Sequence, residues 1–189
     1  MAPVNKNFQN IDNMLRYALY SYLPQRYLKR ASFEQIDLDR RIIDFKDGRK
    51  YASKWAAREM AKALSLMDLS NTAIVCIPAS CKRTNDIRYK HFTEDLCERV
   101  NALNGFSHIV VNGHRQKVHV SHNHLLADGA NEYYHIDEDF FRGKNVLVID
   151  DITTTGKTAN AFIERIEAAG ANVRMALFLA KTRNFKRRN

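Results

Sequence analysis

A short hydrophobic strand that leads directly into a polar turn and a helix constrains the fold of this chain more than any other feature. Residues Val146 to Ile149 form a run without polar interruption, which is typical of a central strand in a parallel sheet covered on both faces. After the turn, apolar residues recur at helical spacing up to a predicted C-cap at Gly170; they are Ala159, Phe162, Ile163, Ile166 and Ala169. The pattern predicts an α/β protein with a mostly parallel central sheet and helices on both faces.

The turn between this strand and helix carries the groups that a sugar phosphate requires. Asp150 and Asp151 come first, and a hydroxyl-rich stretch that contains Gly156 follows. Ligands of open α/β sheets bind at the carboxyl ends of the strands, and the N–H groups of a first helical turn attract phosphate. The turn therefore predicts a site where carboxylates meet sugar hydroxyls and the helix end meets phosphate. The alternative without a ligand is an acidic pair that merely ends a strand and caps a helix.

The end of this turn, Gly156-Lys157-Thr158, also matches the end of a nucleotide-binding P-loop, but the rest of that motif is missing. A P-loop requires a first glycine five residues before Gly156, and Asp151 occupies that position. A carboxylate there would repel the β-phosphate of a nucleoside triphosphate. Two acids ahead of a phosphate site instead suit a ligand whose hydroxyls or metal lie next to its phosphate, as in ribose 5-phosphate.

The segment from Asp150 to Thr158 resembles the phosphoribosyl-pyrophosphate (PRPP) signature of the type I phosphoribosyltransferases. The resemblance implies that Asp150 and Asp151 hold the ribose hydroxyls, directly or through Mg²⁺, and it assigns catalytic roles to this pair and to Thr154. The residues implied in binding the 5-phosphate are Thr153, Thr154, Thr155, Gly156, Lys157 and Thr158. Hypoxanthine-guanine members of the family carry an acid where this chain has Thr154, so the departure argues against salvage of a 6-oxopurine.

A second loop follows the predicted strand from Thr72 to Ile77 and resembles the pyrophosphate loop of the same family. It reads Pro-Ala-Ser-Cys-Lys-Arg over residues 78–83, and small residues at a strand end can turn backbone N–H groups toward an anion. The residues that the resemblance implies in pyrophosphate binding are Ala79, Ser80, Lys82 and Arg88. The alternative is a polar connection without a ligand that leads into a predicted helix from Asp86 to Leu103.

Residues 112–139 follow a predicted strand from Ser107 to Val111 and show little apolar periodicity. Four histidines are candidate metal ligands, but no cysteine and no acid-flanked helical pair accompanies them; they are His114, His119, His122 and His124. In the family this interval forms a flexible flap, so the resemblance implies that Arg115 and Lys117 meet the pyrophosphate when the flap closes. A solvated hairpin is the alternative.

We expect the whole chain, residues 1–189, to form one phosphoribosyltransferase-like domain, because a chain of this length can bury roughly 70% of its unfolded surface in a single core. Residues 1–40 are expected to be an N-terminal helical segment that contributes to a small hood over the acceptor. The remaining predictions in this half of the chain are an amphipathic helix over 11–22, a strand over 40–45, a turn at Asp47-Gly48 and a helix over 52–67.

The formal net charge of +9 favours anionic partners, which include a polyphosphate substrate and nucleic acid. Much of the excess lies near the two ends of the chain, at Arg26, Lys29, Arg30, Lys181, Arg183, Lys186, Arg187 and Arg188. A solvated tail is the alternative to a nucleic-acid contact for the carboxyl-terminal cluster. No apolar run approaches the ~20 residues of a membrane helix, and the first ten residues lack a signal pattern, so a cytoplasmic location is expected. The three cysteines include no C-x-x-C pair and are expected to be reduced.

Within the superfamily, residues 142–182 look most similar to the ComF-like group, which is related to the amidophosphoribosyltransferases. The departures are the segment from Arg88 to Phe92, which replaces an Arg-Gly-Phe-Asn segment, the missing zinc ribbon, and residues 112–139, which do not reproduce the group's arginine-rich flap pattern. The resemblance implies transfer of ribose 5-phosphate from PRPP to a nitrogen nucleophile with release of pyrophosphate, Mg²⁺ as cofactor and a homodimer. The rival hypothesis is a regulatory protein that senses PRPP or a nucleotide and binds nucleic acid or a partner through its basic surface. A toxin or defence accessory is a third hypothesis, which no residue favours.

Overall fold

The computed structural model of the protein describes residues 9–11, 14–113 and 133–183. The strands are β1 (Gln9–Ile11), β2 (Met14–Tyr22), β3 (Thr72–Cys76), β4 (Leu103–Asn104), β5 (Ile109–Val111), β6 (Tyr134–Ile136), β7 (Asn145–Thr153) and β8 (Asn172–Thr182). The helices are α1 (Phe33–Lys46), α2 (Lys50–Leu64), α3 (Lys82–Val100), α4 (Glu138–Phe141) and α5 (Lys157–Ala168), with 3-10 turns at Gln25–Arg30 and Phe106–His108.

Six of these strands form the central sheet in the order β1-β2-β8-β7-β3-β4. Every neighbouring pair from β2 to β4 is parallel, and only the short edge strand β1 runs antiparallel to its neighbour. The register places Cys76 of β3 opposite Ile149 of β7, and Thr153 of β7 opposite Lys181 of β8. Because these strands are parallel, the polar loops after β3 and β7 meet at one edge of the sheet.

Alternate residues of β7 face opposite sides of the sheet, and both sides are covered. Leu147 and Ile149 pack into a core with α1, α2 and α3, whereas Val146 and Val148 pack into a second core with α5, β5 and β6. All four side chains are at most 1% exposed. The prediction of a mostly parallel α/β sheet with helices on both faces is confirmed.

The predicted amphipathic helix over residues 11–22 is wrong, because these residues form β1 and the long strand β2. Met14 and Ala18 are buried four residues apart, which imitates helical periodicity, and Leu19 is buried beside them on the other face of the strand. A strand covered on both faces does not show simple alternation. Its parallel pairing with β8, which lies some 160 residues further along the chain, has no local signature. The helical part of the expectation for residues 1–40 is corrected accordingly, while the hood role of that segment stays a prediction.

The predicted strand over residues 40–45 is also wrong, because these residues belong to α1. Ser32 caps this helix by accepting a hydrogen bond from the backbone N–H of Gln35 at 3.3 Å. Leu38, Ile42 and Phe45 are buried at helical spacing. The turn predicted at Asp47-Gly48 is confirmed, since Gly48 ends α1 with a positive φ of 76°. The helices predicted over 52–67 and 86–103 correspond to α2 and α3.

The antiparallel pair β5 and β6 forms a separate two-stranded sheet, and the strand predicted from Ser107 to Val111 corresponds to β5. Residues 114–132 connect these strands and lie outside the described residues. That segment contains the predicted flap residues Arg115 and Lys117 and the four histidines between 114 and 124. Most of the carboxyl-terminal basic cluster lies in residues 184–189, which are also outside the described residues. Among the helices that the structure describes, none has the length and apolar character needed to cross a membrane.

Candidate functional site

A cleft of about 350 Å³ opens at the carboxyl edge of the central sheet. Its walls come from the loop after β3, the loop between β7 and α5, one side of α3 and the last residue of α1. The lining residues are Lys46, Ile77, Pro78, Ala79, Ser80, Arg88, Tyr89, Asp150, Asp151, Ile152, Thr153, Thr154, Thr155, Gly156, Lys157, Thr158 and Ala159. The volume lies within the usual range for sites that bind small molecules.

Asp150 directly follows the buried apolar run of β7, and two donors hold one of its oxygens. The Tyr89 hydroxyl donates to Asp150 Oδ1 at 3.0 Å, and the backbone N–H of Asp151 donates to the same oxygen at 2.8 Å. Burial raises the pKa of Asp150 well above its ordinary value, and the neighbouring Asp151 charge raises it further. The two hydrogen bonds oppose this rise because they favour the ionised carboxylate.

Asp151 is only 4% exposed, and its charge is balanced by a guanidinium. Arg88 Nη1 donates to Asp151 Oδ2 at 2.7 Å, while the backbone N–H of Ile152 donates to the other carboxylate oxygen at 2.5 Å. Arg88 also donates through Nε to the backbone carbonyl of Lys46 at 2.6 Å. The arginine thus joins the end of α1 to the end of β7 across the cleft.

The threonine-rich turn lies next to this acidic pair and opens α5. Gly156 is the N-cap of that helix and has a positive φ of 79°, a conformation that residues with a Cβ rarely adopt. Thr154 shares a hydrogen bond of 2.9 Å with Thr182 at the end of β8, which fixes the turn against the sheet. The first-turn N–H groups of α5 lie on the same side as the acidic pair and suit an anion.

The loop after β3 forms the opposite wall, and a buried asparagine holds it. The backbone N–H of Ala79 donates to Asn85 Oδ1 at 3.0 Å, and Asn85 is only 5% exposed. Ala79, Ser80 and Arg88 line the cleft as predicted positions for pyrophosphate binding. Lys82 does not line it, because its ammonium pairs with Asp86 at 2.5 Å on the exposed side of α3. Its proposed role in pyrophosphate binding stays a prediction without support from this geometry.

The structure adds four polar residues, in or beside the cleft, that sequence patterns do not reveal as parts of this site. Asn85 lies in the first turn of α3, which begins at Lys82 and so before the predicted start at Asp86. Tyr89 lies within the predicted helix, next to the predicted site residue Arg88. Lys46 directly follows the segment predicted as a strand over 40–45, and the helix α1 that forms there carries it to the cleft. Arg16 lies in the segment 11–22 that is predicted as a helix, and only the pairing of β2 with β8 brings it near the phosphate turn.

Arg16 contacts the phosphate turn from outside the cleft. Its Nη1 donates to the side-chain carbonyl of Asn160 in the first turns of α5, and a Cβ added to Gly156 would lie 3.6 Å from that nitrogen. Its Nε is buried without a hydrogen-bond partner among the described residues. The guanidinium therefore anchors the start of α5 to β2 and adds positive charge behind the turn.

The donor set fits Mg²⁺ as an ion that the substrate largely carries. Both oxygens of Asp151 and Oδ1 of Asp150 accept hydrogen bonds, whereas Asp150 Oδ2 accepts none among the described residues and is the oxygen most open to a cation. Within residues 9–11, 14–113 and 133–183, no group of three or more histidine, cysteine or acidic side chains is arranged to hold a metal. Mg²⁺ is commonly bound through one or two carboxylates together with substrate phosphates and waters. The residues present fit such an ion, and Asp150 is the residue that would contact it.

Comparison with known proteins gives a family and two similar solved structures. UMP synthase of Leishmania donovani is 19% identical over 69% of this chain and 22% of its own, with a TM-score of 0.41. A hypoxanthine phosphoribosyltransferase from Staphylococcus aureus is 14% identical over 71% of this chain and 75% of its own, with a TM-score of 0.39. No curated protein matches the sequence. The chain thus spans less than a quarter of the UMP synthase.

The family profile described as "phosphoribosyl transferase domain" matches residues 49–188, which is well over half of the chain. This range contains the loop after β3, helix α3, the acidic pair and the threonine-rich turn. The resemblance of the segment from Asp150 to Thr158 is thereby confirmed as a family relationship, and the chain belongs to the phosphoribosyl transferase domain family.

Proposed function

We propose that the protein transfers ribose 5-phosphate from PRPP to a nitrogen nucleophile and releases pyrophosphate. One observation carries this proposal: the acidic pair, held by Tyr89 and Arg88, lies directly beside the Gly156 helix end in one cleft with the Ala79–Ser80 loop. Sugar hydroxyls, a 5-phosphate and a pyrophosphate are the three parts of PRPP. The cleft offers a matching group for each of them.

The ribose end of the donor would bind between β7 and α5. Asp150 and Asp151 accept hydrogen bonds from the ribose hydroxyls, and their carboxylates are already oriented by partners from α3. The residues proposed for the 5-phosphate are Thr153, Thr154, Thr155, Gly156, Lys157 and Thr158. Binding therefore demands little rearrangement, which keeps its entropic cost low.

The pyrophosphate end would lie against the opposite wall. Ala79 and Ser80 form this wall, where the Ser80 hydroxyl is a donor, and Arg88 contributes the remaining N–H groups of its guanidinium. When bound, Mg²⁺ neutralises charge on the pyrophosphate, and Asp150 is the residue proposed to touch it. Whether Arg115 and Lys117 close over this end stays a prediction, since both lie outside the described residues.

The reaction is a displacement at C1 of the ribose. The bond from C1 to a pyrophosphate oxygen breaks, its electron pair leaves with pyrophosphate, and the lone pair of the nitrogen forms a bond to C1. The proton that this nitrogen carried is released to solvent. Positive charge develops on the ribose ring in between, so the acidic pair stabilises the transition state electrostatically. Positioning and charge account for the chemistry without a nucleophilic side chain.

The acceptor is constrained by Thr154, which would lie near it if the family register holds. Its hydroxyl is paired with Thr182 and offers no carboxylate to a purine ring. This geometry supports the expectation that the acceptor is not a 6-oxopurine handled in the usual way. An amine or another nucleobase remains the proposed class.

The experiment is to measure pyrophosphate release from PRPP and Mg²⁺ with a panel of nucleobases and amines. We expect release with at least one acceptor, and a loss of at least ~10²-fold in Asp150→Asn, by analogy with removing one electrostatic group from an active site. Glu167→Gln is the matched control, because Glu167 is exposed near the far end of α5. Full activity in Asp150→Asn would contradict the ribose assignment.

The rival function is a sensor that keeps the cleft but does not turn over. The net charge of +9 is the observation that favours it, because a basic surface attracts nucleic acid. A sensor would bind PRPP without releasing pyrophosphate for any acceptor, and its affinity for nucleic acid would change when PRPP is added. The sensor hypothesis is excluded if PRPP does not change the affinity for nucleic acid and pyrophosphate is released with an acceptor. The homodimer and the cytoplasmic location stay predictions.

A further inference from the structure

Lys46, the last residue of α1, is a cation of the cleft that lies outside the range matched by the family profile. It lines the cleft together with Ser80 and Arg88, although residues 49–188 alone match the family. Its side chain is exposed, so the ammonium is hydrated and accessible to a ligand. The residue therefore belongs to a part of this chain that the family relationship does not explain.

A close contact between two turns fixes the position of Lys46. Its backbone carbonyl accepts the hydrogen bond from Arg88 Nε at 2.6 Å. Two residues later, Gly48 packs against α3 so closely that an added Cβ would overlap with Ile87 Cγ2 and lie 3.2 Å from the Ile87 carbonyl oxygen. Adjacent residues of α3, Ile87 and Arg88, thus hold the end of α1 against the cleft.

Two other cations near the pyrophosphate wall are already paired with carboxylates. Arg88 forms an ion pair with Asp151 through one nitrogen of its guanidinium, and Lys82 forms an ion pair with Asp86. Among the described residues, Lys46 forms no ion pair. Lys157, the remaining lysine of the cleft, belongs to the phosphate turn on the other wall. Of the described cations that line the α3 wall of the cleft, Lys46 is thus the one without a carboxylate partner.

We infer that Lys46 binds the pyrophosphate end of the donor, an inference that rests on the proposed function and names a further substrate-binding residue for it. An ammonium on a flexible stem suits a pyrophosphate, which presents many oxygens and no single required geometry. The end of α1 supplies the cation, and the Gly48 turn holds the backbone from which its stem extends.

The test is calorimetry on the full chain with three probes: PRPP, inorganic pyrophosphate and ribose 5-phosphate, each with Mg²⁺. In Lys46→Met we expect pyrophosphate and PRPP to bind about tenfold more weakly, the low end for a hydrogen bond to a charged group. Ribose 5-phosphate should bind as in the unsubstituted protein. The matched control is Lys54→Met, an exposed lysine of α2 that does not line the cleft.

The outcomes separate this inference from the proposed function. If the unsubstituted protein binds none of the probes, the proposed function fails and the inference fails with it. If it binds them and Lys46→Met binds pyrophosphate equally well, only the role of Lys46 is overturned. Equal weakening of pyrophosphate and ribose 5-phosphate, or an equal effect in Lys54→Met, also overturns it, because the effect would then be one of general charge.

Discussion

Arg88 and Asp151 lie 63 residues apart in the sequence, and their side chains form a 2.7 Å ion pair within the cleft. The two side chains are only 12% and 5% exposed. Water cannot replace either partner effectively at such burial. The pair therefore links the folding of α3 against the sheet to the orientation of the acidic pair.

Replacing Arg88 by Met should destabilise the protein strongly, because it leaves the Asp151 charge buried without a partner. We expect a loss of about 3 kcal/mol in the free energy of unfolding, measured by urea titration. Arg99→Met is the control, since Arg99 pairs with Asp95 on the same helix at more exposed positions and should cost at most ~1 kcal/mol. Equal losses in the two variants would show that the Arg88 pair has no special role.

Replacing Tyr89 by Phe should move the pH dependence of activity. The Tyr89 hydroxyl donates to Asp150 and favours its ionised form, so its loss raises the pKa of Asp150 further. If ribose binding needs the ionised carboxylate, the acidic limb of kcat/KM against pH shifts to higher pH in Tyr89→Phe. A profile that keeps its acidic limb in place would separate Tyr89 from the titration of Asp150.

The unfolding free energy of the ligand-free protein should fall as pH rises through the titration of Asp150. Burial raises the pKa of this group to about 7, so the folded state holds the proton more tightly than the unfolded chain does. The stabilising contribution is complete at pH below the ordinary Asp range near ~4 and is lost by about pH 7. Asp150→Asn should lack this component. Parallel pH profiles for the two proteins would contradict the raised pKa.

A double-mutant cycle should detect the contact between Arg16 and Asn160. Arg16→Met and Asn160→Ala each remove the hydrogen bond that joins β2 to the first turns of α5. We expect a coupling of about 0.5–1 kcal/mol in the free energy of unfolding, and a higher KM for PRPP in both single variants. Additive effects would mean that the two side chains act independently.

Gly48→Ala should destabilise the protein more than Gly143→Ala, although both glycines have positive φ angles, 76° and 72°. An added Cβ at Gly143 meets nothing within 4 Å, so that variant measures backbone strain alone, about 1 kcal/mol. At Gly48 the overlap with Ile87 adds to the strain, and about 2 kcal/mol in total is expected from thermal or urea unfolding. Equal losses would show that the turn yields easily.

Local sequence patterns predicted the central elements well because those elements have strong local signatures. The run Val146–Ile149 is apolar throughout, and α5 shows a clean helical stripe that ends near Gly170. The acidic pair and the turn between β7 and α5 could be predicted because their residues are consecutive in the chain. Local patterns gave the wrong element at residues 11–22, because β2 is buried on both faces and so lacks the alternation of a strand. They also gave the wrong element at residues 40–45, because a short apolar run there is compatible with either a strand or a helix.

The sequence by itself determined the strand–turn–helix unit, the acidic pair at its junction and the family, since each depends on residues that are neighbours in the chain. Only the tertiary structure decided which distant groups complete the cleft. Arg88 and Tyr89 reach the acidic pair from α3, Lys46 comes from the end of α1, and Arg16 comes from β2. Parallel strand pairing and helix packing bring these groups together. Both are contacts between distant segments, so the local periodicity of the sequence does not predict them.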